Sequence, residues 1–100
     1  MSEPFNSLEE AEHLLRQAEQ DPTKAAEAAL AALRALLQEW SVEPTASTVV
    51  GLLEQAAETD PTLEHFRPEA TVLDRFEPQP DAAERAKIFV DAARARLANI

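Results

Sequence analysis

Cysteine is absent from this 100-residue chain, which excludes disulfides, thiolate metal sites and a cysteine nucleophile. Glycine occurs once, at position 51, so no glycine-rich loop can cradle a phosphate. Aromatics make up only 5%, and no basic, aromatic-studded strip exists to stack single-stranded nucleic acid. Long apolar runs are missing too. The most apolar stretch, Ala25 to Leu37, is broken by Glu27 and Arg34, whereas a membrane span needs roughly 20 apolar residues in a row. Positive charge is scarce: 9 bases face 19 acids, and a net charge of -10 repels a phosphate backbone or an anionic bilayer. The opening Met1-Ser2-Glu3-Pro4-Phe5 has neither the basic start nor the apolar core of a signal peptide, so a cytoplasmic address is expected.

What is present is 45% hydrophobic content and seven prolines, the composition of a helical protein punctuated by proline. The length suits one domain over residues 1–100, with residues 1–6 as an N-terminal tail. Ser7-Leu8-Glu9-Glu10 fits a capping box, so the first helix is predicted to start at Ser7 and to bury Leu8, Ala11, Leu14, Leu15 and Ala18. Asp21-Pro22 is a cap followed by a proline at the first helical position, where the missing N–H costs nothing. The same Asp-Pro-Thr tripeptide recurs at Asp60 and opens a short turn through Phe66. A third helix is expected from Thr45 or Ser47 to Glu58, with Gly51 marking either a crowded contact or a frayed start. A fourth piece, Glu69 to Phe76, stops before Pro78 and Pro80, and Asp81-Ala82-Ala83-Glu84 caps a last helix.

The second helix carries nearly two apolar faces. Leu30, Leu33, Leu37 and Trp40 form one seam, and a second side is built from small residues: Ala25, Ala28, Ala29, Ala32, Ala35 and Leu36. Such a helix belongs at the centre of its fold. Its alanine side admits a close neighbour, from the same chain or from a second subunit. The candidate interface for a homodimer is therefore Ala25, Ala28, Ala32, Ala35, Leu36 and Trp40, with the last helix as the alternative. Short connectors favour antiparallel neighbours, so the expected fold is all-α: an up-and-down four-helix bundle with a short extra helical turn.

Residues able to do chemistry are few. His13 has Glu9 four residues before it, a spacing that puts carboxylate and imidazole on one helix face. Two ligands fall short of the three or four a zinc site takes, so a solvated histidine is the expectation. Glu64 and His65 could serve acid–base chemistry, but neighbours in a helical turn do not face each other. Glu10-Ala11-Glu12-His13 matches the Glu-x-x-His spacing of a di-metal bundle once and is unanswered elsewhere. No catalytic residue, metal or cofactor is assigned on these grounds.

The order of these features resembles the HEPN family (higher eukaryotes and prokaryotes nucleotide-binding domain). The matching strings are the Ala11 to Ala18 stripe, Arg34-Ala35-Leu36-Leu37, Leu52-Leu53, Leu73-Asp74-Arg75-Phe76 before the turn Pro78 to Asp81, and the alanine-rich Ala82 to Leu97. Catalytic members share an arginine followed four to six residues later by the histidine with which it cuts RNA. Here the required positions hold Asn6, Ser7 and Leu8 before His13, and Glu58, Thr59 and Asp60 before His65. The family's Arg-Tyr-Pro string is replaced by Pro78-Gln79-Pro80, and its glutamate in the second helix aligns with Leu30. The resemblance is therefore to degenerate, non-nuclease members. It implies a homodimer acting through protein contact, and a nucleotidyltransferase-like protein partner. The competing expectations are a ribonuclease toxin or nucleotide-binding protein using His13 or His65, and a monomeric helical adaptor unrelated to the family.

Overall fold

In a computed structural model, the backbone is described for residues 4–75 and 81–97, and the side chains from Leu8 onward. Phe76, Pro78 and Pro80 fall outside the described residues. Everything described is helix, turn or connector: α1 Pro4–Ala18, α2 Lys24–Glu39, α3 Val49–Thr59, a 3-10 segment Pro61–Phe66, α4 Arg67–Leu73 and α5 Ala82–Leu97.

α2 lies at the centre. Eleven of its sixteen residues are buried, and only Glu27 and Arg34 are fully exposed. The five-residue link from α1 turns the chain back, so α1 packs along α2, and α5 packs against both. α3 packs against α2, and α4 touches α2, α3 and α5. Alanine makes this crowding possible: Ala28, Ala32 and Ala35 are fully buried and let neighbouring backbones come close. The neighbours that close over the alanine side belong to the same chain. Ala25, Ala28, Ala32, Ala35 and Leu36 are each at most 1% exposed within a single copy, so in this conformation they present no surface to a second subunit. Of the six candidate interface residues, only Trp40 is half-exposed.

The helix ends account for much of the polar chemistry. α1 starts at Pro4, ahead of the expected Ser7, which places Ser7 inside the helix rather than at its cap. Proline suits a first helical turn because its φ is already helical. Asp21 does not cap α2 as expected: Thr23 holds the N-cap position without a side-chain cap bond, and Asp21 closes the turn before it. Its carboxylate accepts from the Thr23 amide at 3.2 Å and the Thr23 hydroxyl at 2.6 Å. The first turn there is tight, with Lys24 and Ala25 amides donating to the Asp21 and Pro22 carbonyls, so the regular helix begins at Lys24. Asp60 repeats the arrangement on Thr62, at 3.2 and 2.5 Å.

α2 stops in a Schellman motif: Val42 N–H donates to the Leu37 carbonyl at 2.8 Å and Ser41 N–H to Gln38 at 3.1 Å. Ser41 holds φ of 58°, the left-handed region that glycine occupies without steric cost. Residues 42–48, part of the expected third helix among them, are not helical, and Gln55 ties this connector down. Its carbonyl oxygen accepts from the amides of Thr45 and Ala46, and its amide donates to the Glu43 carbonyl.

The N-terminus of α3 is fully satisfied. Asp74, at the end of α4, accepts from the amides of Val49 at 2.7 Å and Val50 at 2.9 Å, one on each carboxylate oxygen. Thr48 accepts from Gly51 at 3.0 Å, and Leu52 donates to the Thr48 carbonyl. Gly51 is the crowded contact: a Cβ there would lie 2.6 Å from Ala46 Cβ and 2.9 Å from Thr48 Oγ1.

Two stability predictions follow from these ends. Gly51→Ala raises helix propensity by about 1 kcal/mol, but overpacking of about 1–3 kcal/mol against the tethered connector outweighs it. Net destabilisation is expected in urea melts, with much of it recovered in the double variant Ala46→Gly/Gly51→Ala. Ser41→Gly relieves the left-handed backbone and raises stability by about 1 kcal/mol, read as a higher denaturation midpoint at unchanged m-value.

Candidate functional site

The candidate polar residues sit on separate elements. His13 is exposed on α1, where the Gln17 amide nitrogen lies 3.1 Å from Nε2 and donates to it when that nitrogen carries no proton. Glu9 is exposed one turn earlier. Glu64 is engaged elsewhere: Arg67 donates from Nε and Nη2 to its two oxygens, each at 3.0 Å. The same guanidinium donates from Nη1 to Glu54 at 2.9 Å. Glu54 and then Glu64 stabilise its charged form and push its pKa up. His65 stands exposed on the 3-10 segment beside this fork. Both carboxylate oxygens of Glu64 are thus taken up by charge-assisted bonds to arginine. Among the described residues no three His, Asp or Glu side chains gather as a metal site would need.

A second polar cluster, invisible in the sequence, joins the 3-10 segment to α5. Arg96 Nε donates to Asp60 at 2.6 Å, Nη2 to the Thr62 hydroxyl at 3.1 Å and Nη1 to the Ala92 carbonyl at 3.1 Å. Phe66 packs edge-on to Phe89 nearby, with ring centroids 5.8 Å apart. The Arg96 bonds to Asp60 and Thr62 link residues 36 and 34 apart in sequence, so no local spacing announces them. Another distant pair closes α1 on α5, with Arg94 donating to Glu12 at 2.9 and 3.1 Å.

Beyond that pair, α1 and α5 leave a cleft of about 330 Å³ lined by Leu15, Glu19, Ala83, Glu84 and Lys87. Residues later on α1 lie beside residues earlier on α5, so the two helices run antiparallel. The cleft is at the small end for a ligand pocket, and its lining has no histidine, serine or threonine.

The Asp60 carboxyl is held below its ordinary 3.8, first by the Thr62 hydroxyl and then by Arg96. A depressed folded-state pKa contributes stability that is fully present above the unfolded value and is lost as pH falls through the folded one. Asp60→Asn keeps a good cap but loses the charged pair, at a cost of about 1 kcal/mol at neutral pH. That cost is expected to be constant above about pH 5 and to shrink as pH falls below the ordinary carboxylate value, measured by chemical denaturation across the range.

No protein-family model matches the chain, and neither the curated proteins nor the solved structures searched contain a match.

Proposed function

We propose that this chain is a HEPN-like helical bundle that works by protein–protein association, with a second copy of itself as partner. In this reading α1, α2, α3 and α5 are the four helices of the bundle, and the 3-10 segment with α4 is its extra turn. The order of elements supports it: a helical hairpin, a third helix whose Leu52 and Leu53 are buried, Leu73-Asp74 at the end of α4, and an alanine-rich last helix.

The observation that carries the reading is the commitment of polar side chains to closing the fold. Asp21, Asp60, Asp74, Gln55, Glu64 and Arg96 hold helix ends, connectors or one another. His13 and His65 sit on elements without close packing between them. Such a molecule offers its outer helix faces to a partner more readily than it offers a reaction centre. With the alanine side of α2 closed from within, the last helix is the route left for a two-fold contact.

Sedimentation equilibrium at high micromolar concentration tests this reading. A mass above that of the monomer is expected, and a monomer throughout would remove the homodimer. Incubation with RNA tests the competing enzyme: cleavage lost in His13→Ala or His65→Ala would overturn the association reading. A nucleotidyltransferase-like companion, which the resemblance implies, competes with a second copy for the same role. Specific co-purification of such a protein with the tagged chain would favour it.

A further inference from the structure

α5 has a buried side marked by Phe89, which is 1% exposed. At about 100° per residue, the side opposite Phe89 carries Glu84, Lys87, Asp91 and Arg94. All four are at the surface, with Lys87, Asp91 and Arg94 exposing 64%, 46% and 54% of their side chains. Along the helix their charges read minus, plus, minus, plus.

That order is its own complement when reversed. Resting on the self-association reading, we propose that two copies meet along this face, α5 antiparallel to α5, about a two-fold axis level with Phe89. Glu84 then meets Arg94 of the second copy and Lys87 meets its Asp91, and the two-fold makes each pair twice. Both pairs are centred on position 89, in height along the helix and in angle around it. The registry therefore follows from helix geometry without adjustment.

Charge argues for a second copy as the occupant. Acids outnumber bases about two to one over the whole chain, so most patches of this surface repel their own image. The α5 stripe is balanced, with two acids and two bases, and each charge faces its opposite only when the partner helix runs backwards. The pairs within one copy already accept these distances. Lys87 lies 3.2 Å from Asp91, and Arg94 lies 3.6 Å from it. Arg94 holds Glu12 through Nε and Nη2, and its Nη1 is the atom 3.6 Å from Asp91, too far for a hydrogen bond. One helix face is a small interface, so association is expected at high micromolar concentration and to weaken as salt is raised from about 0.1 M to 1 M, where the Debye length shrinks to ~3 Å.

A charge swap tests the registry separately from the dimer itself. Lys87→Glu and Asp91→Lys each turn two cross-copy attractions into repulsions, so each alone is expected to self-associate about tenfold more weakly than the parent. An equimolar mixture of the two restores opposite charges at both pairs and is expected to recover association in sedimentation equilibrium. The double variant Lys87→Glu/Asp91→Lys, which also keeps the internal pair, is expected to associate like the parent. Circular dichroism confirms that each variant is folded. A dimeric parent whose single variants associate undiminished, or whose mixture gains nothing over either alone, would overturn the α5 registry and leave the homodimer standing. A monomeric parent would remove the homodimer and the registry together.

Discussion

The structure depends on how closely helices can approach α2. A helix surrounded by others must present small side chains at the points of contact, or the axes stand too far apart for the flanking leucines to fill the gaps. Ala28, Ala29, Ala32 and Ala35 meet that condition and are fully buried, while Leu33, Leu36 and Leu37 fill the space between the axes. Alanine loses no side-chain entropy in a helix, so this crowding does not weaken the element that bears it. A larger residue at any of these positions would have to displace a neighbouring backbone. Close approach also explains Gly51: the connector that follows α2 runs so near α3 that no Cβ fits there.

Crowding around one helix brings several helix ends and connectors together, and these carry backbone groups that must be bonded. The chain meets that demand largely with side chains distant in sequence. Asp74 caps α3 from the end of α4, Gln55 pins the preceding connector, and Arg96 reaches Asp60 and Thr62 from the last turn of α5. Two identical Asp-Pro-Thr strings play different parts in this scheme. Asp21 bonds to Thr23 and stays on the surface. Asp60 does the same with Thr62, and Arg96 then couples that cap to another helix.

What could be read from the sequence was the local part. The 3.6-residue pattern exposed α2 as doubly apolar, the Asp-Pro-Thr string at Asp60 marked a cap while that at Asp21 marked only a turn, and the lone glycine left crowding or a frayed start open. Ser7 misled because a capping-box spacing is met by chance in a glutamate-rich stretch, and Pro4 is an equally good start. The non-helical connector before α3 was hidden because the side chain that ties it down, Gln55, lies about ten residues downstream. Among the candidate site residues, spacing already set Glu64 and His65 facing apart, but it left Glu64 pointing to water. Only the tertiary position of Arg67, shared between Glu64 and Glu54, reveals that the carboxylate is engaged. Periodicity also left open which neighbour covers the alanine side. That choice turns on the loop lengths and the packing of α1, α3 and α5, which no single helix encodes.

In the proposed association, with apolar faces turned inward and most of these carboxylates and guanidiniums bonded at helix ends, recognition would fall to the pattern of charge on the outer faces. A patterned charged surface discriminates more strongly than it binds: opposed like charges exclude wrong registers, while each correct exposed pair contributes ~1 kcal/mol or less. For an acidic chain the exclusion is stronger still, since most approaches of one copy to another bring carboxylate against carboxylate. A stripe complementary to its own reverse is thus the place where the proposed contact would be least opposed. On α5 that face lies directly behind Phe89, so the same residue that anchors the helix in the core also fixes which side chains are turned outward.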